Sequence, residues 1–138
     1  MYQRVRAIGH EHVSAEHTST LELTSDDWLT PAGDCILGIE ASAVPATFDE
    51  EFVSACQCHD AAISATIRVD GHEQIIDGSG HSELSFENSR SMVIRTSDYV
   101  DDRTIMVESD TAAAGIDREV VTSLEDGAEL DCILEVER

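Results

Sequence analysis

The stretch from Thr24 to Val53 recurs, worn but legible, from Thr96 to Val121. The first copy carries Leu29-Thr30-Pro31-Ala32-Gly33-Asp34-Cys35-Ile36-Leu37-Gly38 and ends in Phe48-Asp49-Glu50-Glu51-Phe52-Val53. The second carries Asp101-Asp102-Arg103-Thr104-Ile105-Met106-Val107-Glu108 and ends in Ile116-Asp117-Arg118-Glu119-Val120-Val121. At a constant offset Asp34 falls on Asp102, Glu40 on Glu108, Asp49 on Asp117 and Val53 on Val121. Further out, Gly80-His81 echoes Gly9-His10, Ser85 echoes Ser14 and Glu87 echoes Glu16. A repeat of this period restricts the fold more than any local signal, because each copy must bury its apolar face against the other. We expect one domain, residues 1–138, built of two tandem repeats over about 1–71 and 72–138, packed about a pseudo-twofold axis.

Each copy reads as several strands, one helix and one strand. Thr20 to Thr24 alternates, with Leu21 and Leu23 inward and Glu22 outward. Arg4 to Ile8 alternates more loosely, and Cys35 to Ala41 is nearly continuous apolar sequence, as in a strand covered on both faces. Thr47-Phe48-Asp49-Glu50 has capping-box spacing, with Thr47 as N-cap, ahead of a helix whose face is Phe48, Phe52, Val53 and Cys56. Ile116, Val120, Val121 and Leu124 repeat that face. Ile63, Ala65, Ile67 and Val69, and later Leu130, Cys132, Leu134 and Val136, mark one-sided strands, and Asp70-Gly71 marks a hairpin. The expected fold is mainly β with two short helices: an internally duplicated, jelly-roll-like sandwich or barrel with pseudo-twofold symmetry.

Charge excludes more than it assigns. The chain has 29 acidic residues against 8 basic ones, every one an arginine, for a net charge of -21. The acids are spread over both copies, the pattern of a chain adapted to a cytosol of molar salt, where the Debye length is about 3 Å at 1 M. No basic stripe is available to displace counterions from phosphates, which argues against nucleic acid. No run reaches the ~18–20 apolar residues of a membrane span, and Met1-Tyr2-Gln3-Arg4-Val5-Arg6 has no signal-peptide core, so a cytoplasmic location and no membrane partner are expected.

The copies inform most where they differ. The first holds His10, His12 and His17, of which the second keeps only His81; the first has Gly33-Asp34-Cys35 where the second has Asp101-Asp102-Arg103. Divergent polar residues at equivalent positions mark a single asymmetric site, so His10, His17, Asp34, Cys35, Asp102 and Arg103 are the candidate ligand-binding residues. His10-x-His12 places two imidazoles on one face of an extended strand, a weak divalent-metal candidate set against plain solvated histidines. Cys56-x-Cys58-His59 lacks zinc-knuckle spacing and reads as a helix end with reduced thiols. Cys35 with His17 as base would make a thiol nucleophile, while a packed, inert thiol suits its entry into an apolar strand. No cofactor motif and no phosphate-binding glycine loop occurs.

Gly9-His10, Val13, His17, Ser19-Thr20-Leu21-Glu22-Leu23-Thr24, Leu29-Thr30, Gly33-Asp34-Cys35-Ile36, Gly38, Ser97-Asp98 and Asp102-Arg103-Thr104 together resemble an archaeal family of small proteins, domain of unknown function 371. Ser19 stands where that family usually has threonine, and His12 where it often has asparagine. The resemblance implies a mainly-β sandwich of jelly-roll character and no particular activity; a lysine-free acidic member looks haloarchaeal. Three functions follow as expectations. One is a small-polar-ligand-binding module with its site at the repeat junction. Another is a metal- or thiol-dependent enzyme using His10, His17 and Cys35. The last is a scaffold or assembly subunit without a small-molecule site.

Overall fold

The computed structural model describes residues 1–137. Eight strands and two α-helices follow in the order β1 (Tyr2–Ile8), β2 (Thr20–Thr24), β3 (Ile36–Gly38), α1 (Glu50–Cys56), β4 (Ala62–Val69), β5 (His72–Ser79), β6 (Ser91–Arg95), β7 (Thr104–Met106), α2 (Arg118–Glu125) and β8 (Glu129–Glu137). A 3-10 turn precedes each helix, over Pro45–Thr47 and Ala113–Gly115. The strands form two four-stranded sheets, ordered β1-β8-β4-β5 and β3-β2-β6-β7. Each order is unchanged, apart from direction, when β1 is exchanged with β5, β4 with β8, β2 with β6 and β3 with β7. β2–β3 and β6–β7 pair in parallel, while β1–β8, β8–β4, β4–β5 and β2–β6 are antiparallel.

Of the two expected architectures, sandwich or barrel, the described residues form no closed barrel. The sheets touch at each seam through a single bridge, Ile8 with Ile39 and Ser79 with Val107. The next residues, Glu40 and Glu108, have φ of 54° and 52°, and this left-handed backbone turns the chain out of the ladder after one pair. The same turn shortens the expected Cys35–Ala41 strand to Ile36–Gly38.

Alternation places Val5 and Ala7 of β1, Ile63, Ala65, Ile67 and Val69 of β4, and Leu130, Cys132, Leu134 and Val136 of β8 between the sheets, facing Leu21, Leu23, Met92 and Ile94. The hairpin at Asp70-Gly71 has φ of 48° and 80°, the pair of positive values that matches strand twist. The helix start differs from the expected capping box. The Thr47 hydroxyl donates to the Val44 carbonyl at 2.8 Å and accepts from the Val44 N–H, which commits it to the 3-10 turn. Asp49 caps α1 instead, accepting from the Glu51 N–H at 2.8 Å, and Asp117 caps α2 in the same way at 3.0 Å. Phe52, Ala55 and Cys56 of α1 and Val120, Val121 and Leu124 of α2 are buried. The end of α2 rests on Gly9, where a Cβ would lie 1.9 Å from the Leu124 carbonyl oxygen; only glycine permits that approach.

Candidate functional site

The register of the β3-β2-β6-β7 sheet assembles a polar centre on its outer face. Glu22 of β2 lies directly opposite Val93 of β6. The Glu22 N–H donates to the Cys35 carbonyl at 2.9 Å, and the Val93 N–H donates to the Arg103 carbonyl at 2.8 Å. Cys35 and Arg103, the residues just ahead of the short parallel strands β3 and β7, therefore stand on either side of the Glu22–Val93 pair. Both turn toward Glu22: the Cys35 thiol donates to Glu22 Oε1 at 3.7 Å, and Arg103 Nη1 lies 3.7 Å from the same oxygen. The Glu22 side chain is 14% exposed. Burial raises its pKa above the usual glutamate value, against the opposing pull of Arg103, the Cys35 thiol and the Ser91 hydroxyl. Burial and then the Glu22 charge push the Cys35 thiol up to about 11, so it is protonated at neutral pH.

Asp101 anchors the other side of Arg103. Its Oδ2 accepts from Arg103 Nη2 at 3.0 Å and from Arg95 Nη2 at 2.9 Å, and its Oδ1 accepts from the Arg103 N–H at 3.0 Å and the Thr104 hydroxyl at 3.1 Å. Burial alone would raise this carboxyl, but the Arg103 hydrogen bonds and the charges of Arg95 and Arg103 outweigh it and hold the pKa at about 2. The Arg95 guanidinium, 10% exposed, donates to Thr104 Oγ1 at 2.9 Å and lies 4.8 Å from the centre of the Tyr99 ring. A continuous network thus runs Cys35–Glu22–Arg103–Asp101–Arg95.

Of the residues expected at the site, Cys35 and Arg103 meet through Glu22. Asp34 and Asp102 brace equivalent loops: the Asp34 carbonyl accepts from the Glu16 and His17 N–H groups, and the Asp102 carbonyl accepts from the Asn88 N–H. His17 Nδ1 accepts from the Ser19 and Thr20 N–H groups at 3.3 and 3.1 Å, and lies 3.0 Å from Thr20 Oγ1. Its ring therefore carries the proton on Nε2 when neutral. Asn88 Oδ1 performs the same task for Arg90 and Ser91, at 2.8 Å each. His10 Nδ1 accepts from the His12 N–H at 3.0 Å, and His81 Nδ1 accepts from the Glu83 N–H at 3.0 Å. The His10 and His12 rings are 5.1 Å apart, and among the described residues no group of three His, Cys, Asp or Glu side chains is placed to hold a metal ion. Cys56 is buried, with its thiol pushed up to about 12, while His59 stacks edge-on against His81 at 4.4 Å.

Sequence reasoning missed Glu22, Arg95 and Asp101 as site residues. Two of them had a signal. Glu22 is the outward acid of an alternating strand, and Arg95 closes the otherwise apolar run Met92-Val93-Ile94. The interior holds no ligand chamber at this point, since the void between Leu21, Ile67, Met92 and Ile105 is about 10 Å³.

Fold and site define a two-sheet β protein with two helices and an asymmetric polar centre on an outer sheet face. The chain belongs to the family described as "Domain of unknown function (DUF371)", whose model matches residues 5–137. An uncharacterised protein of Methanocaldococcus jannaschii is 41% identical over 126 residues, covering 91% of this chain and 93% of that protein. No helix among the described residues is long and apolar enough to cross a membrane.

Proposed function

We propose that the chain is a binding module for a small polar ligand, seated over Glu22 and Arg103 on the outer face of the β3-β2-β6-β7 sheet. One observation carries this reading: a mostly buried carboxyl and a half-exposed guanidinium stand 3.7 Å apart, beyond hydrogen-bond length. A structural ion pair closes to full contact, as Arg103 does with Asp101 at 3.0 Å. The longer pair leaves an Nη1 donor of Arg103 for an incoming carboxylate or phosphate. It also leaves the Glu22 carboxylate, whose burial raises its pKa against the pull of Arg103, to accept a hydrogen bond from a ligand hydroxyl or amine.

The reading treats the two halves as copies of one unit, supported by their shared element order and exchangeable sheet orders. On that scaffold Glu22 faces Val93 and Cys35 answers to Arg103, so one junction carries chemistry found once. The lysine-free acidity supports the cytoplasm of a halophilic archaeon as the setting. A thiol enzyme would need a Cys35 thiolate, and a pKa of about 11 weighs against one.

Thermal shift in molar potassium chloride against hydroxy acids, amino acids and phosphorylated metabolites tests the proposal. A bound ligand raises the melting temperature through linkage, and both Arg103→Gln and Glu22→Gln should abolish the rise. If no compound stabilises the wild type, or if both variants respond as the wild type does, the proposal fails.

A further inference from the structure

The outer face of the β1-β8-β4-β5 sheet carries a row of four charged residues set side by side by the register. Arg6 pairs with Asp131, Asp131 with Arg68, and Arg68 with Glu73. Directly opposed residues on antiparallel strands project to the same face with neighbouring Cβ atoms about 5 Å apart. Val5, Ala7, Ile67, Leu130 and Cys132, their neighbours in sequence, fill the inner face. Arg4 enters the row diagonally, donating from Nε and Nη2 to the two Asp131 oxygens at 2.8 and 2.6 Å. These side chains floor an open groove of about 730 Å³, walled by Glu40, Ser42 and the Asp70-Gly71 turn.

Within the row two arginines face two carboxylates, but they do not pair one to one. Arg4 satisfies Asp131 with two hydrogen bonds. Glu73 takes Arg68 Nε at 2.7 Å, which leaves the terminal nitrogens of that guanidinium to the groove. Among the described residues Arg6 meets no carboxylate within 4.0 Å, and its side chain donates no hydrogen bond. The other described arginines are all engaged: Arg90 with Asp26, Arg95 and Arg103 with Asp101, and Arg118 with the carbonyls of Ala15, Ala113 and Ile116. In a chain with 29 acidic residues and 8 basic ones, a partner for Arg6 would be easy to supply. Its side chain is exposed on the floor of the groove without a contact ion pair among the described residues, and its neighbour in the row is Asp131, which Arg4 already holds.

The same four strands carry a second row in the same order, Tyr2, Glu135, Ser64 and Asp77. Exchanging the halves would set Asp77 in the place of Arg6, Ser64 in that of Asp131 and Glu135 in that of Arg68. That end of the face has no cation in its row. The arginine cluster is therefore a property of one end, and its purpose is not the general support of the sheet.

We propose that this groove is a second binding site, taking small molecules that carry an oxyanion group, phosphate or carboxylate, gripped by Arg6 together with the free nitrogens of Arg68. Their strands flank β8, so the two backbones stand about 10 Å apart; Asp131 lies between them with both oxygens taken by Arg4, and the anion sits above it, bridged by the two guanidinium forks. Five carboxylates line the groove against three arginines, Glu40, Asp70 and Glu129 on the rim with Glu73 and Asp131 on the floor, and they oppose long-range attraction of anions. Recognition is therefore by short charge-assisted hydrogen bonds, and high salt, with a Debye length of about 3 Å at 1 M, screens the rim.

The experiment uses the whole chain, isotope-labelled, in molar potassium chloride. It follows the arginine Nε–H resonances while inorganic phosphate and, separately, succinate are added. Arg6 and Arg68 should shift saturably with at least one probe, and which probe acts tells a phosphate site from a carboxylate site. Arg6→Gln should weaken binding about ten-fold or more, the worth of a charge-assisted bidentate contact. Arg6→Lys, which keeps the charge and loses the fork, should fall between. Arg90→Gln, in the turn ahead of β6, should titrate as the wild type. No saturable shift with either probe, or unchanged binding by a folded Arg6→Gln protein, overturns the proposal.

Discussion

Replacing Asp101 by asparagine keeps the shape of the side chain and removes its charge. The folded carboxyl titrates at about 2 against an ordinary 3.8, so the ionised form is favoured in the fold by nearly two units. At about 1.36 kcal/mol per unit that is an upper figure of about 2.5 kcal/mol, and solvent access to the carboxylate reduces it to about 1–2 kcal/mol. Asparagine also strips the anionic partner from Arg95, whose side chain is only 10% exposed. Breaking a fully buried pair costs about 3–5 kcal/mol. Arg95 keeps Thr104 and the Tyr99 ring, so Asp101→Asn should cost about 2–4 kcal/mol at pH 7. A depressed pKa stabilises the fold fully above the ordinary value and stops doing so as pH falls through the folded one. The gap between wild type and variant should therefore narrow by about 1–2 kcal/mol between pH 5 and pH 2. Guanidinium denaturation at fixed ionic strength measures it, and comparing the two proteins cancels the general relief of carboxylate repulsion in acid. A cost under about 0.5 kcal/mol at pH 7, typical of a surface change, would refute the reasoning, as would a gap that does not vary with pH.

His17→Asn should leave stability within about 0.5 kcal/mol of wild type, because asparagine already accepts the same pair of N–H groups at position 88; His17→Leu should cost about 1–3 kcal/mol, and urea unfolding distinguishes them. With its thiol at about 11 against an ordinary 9.0, Cys35 should alkylate roughly a hundred-fold more slowly at pH 8 in the native protein than in urea. Glu22→Gln, which removes the adjacent charge, should speed the native reaction. The melting temperature should fall steeply from molar to millimolar potassium chloride as the Debye length grows from about 3 Å towards 30 Å and beyond; a flat profile would mean that the acidic residues serve another purpose.

Much of the fold was legible because its signals are local. The alternation in β2, β4 and β8, the paired apolar faces of α1 and α2, and the Asp70-Gly71 hairpin each lie within one short window. What was not legible depends on pairing at a distance. The candidate site joins β2, β6 and the residues ahead of β3 and β7, and it takes the antiparallel β2–β6 ladder together with the parallel β2–β3 and β6–β7 ladders to bring these segments together. Comparing the two halves of the sequence drew attention to Cys35 and Arg103, because a thiol and a guanidinium fall at the same offset, and the structure brings both to Glu22. The comparison passed over Glu22, whose counterpart Val93 looks like ordinary core, and over His17, whose counterpart Asn88 does the same job with different chemistry. The cap of α1 was misplaced by two residues because the Thr47 hydroxyl serves the preceding turn, which competes for the same donor.

The placement of the arginines bears on what the charge is for. If cations served only to relieve repulsion within a net charge of -21, they would be scattered as the carboxylates are. Instead Arg4, Arg6 and Arg68 stand on the outer face of one sheet, and Arg90, Arg95 and Arg103 gather about the outer face of the other. The seventh described arginine, Arg118, spends its donors on the carbonyls of Ala15, Ala113 and Ile116 and so ties the loop after β1 to the start of α2. The absence of lysine sharpens the point. An ammonium would relieve repulsion as well as a guanidinium does, but only the planar fork holds a carboxylate through two parallel bonds, as Arg4 holds Asp131 and Arg90 holds Asp26. Such fixed pairs keep neighbouring carboxylates in place, while Arg6 makes no contact pair among the described residues and Arg103 stands 3.7 Å from Glu22, the donors on which both proposed sites rest. Replacing every arginine by lysine would preserve the net charge and the screening while removing those forks, so its effects on oxyanion binding and on salt-dependent stability should separate.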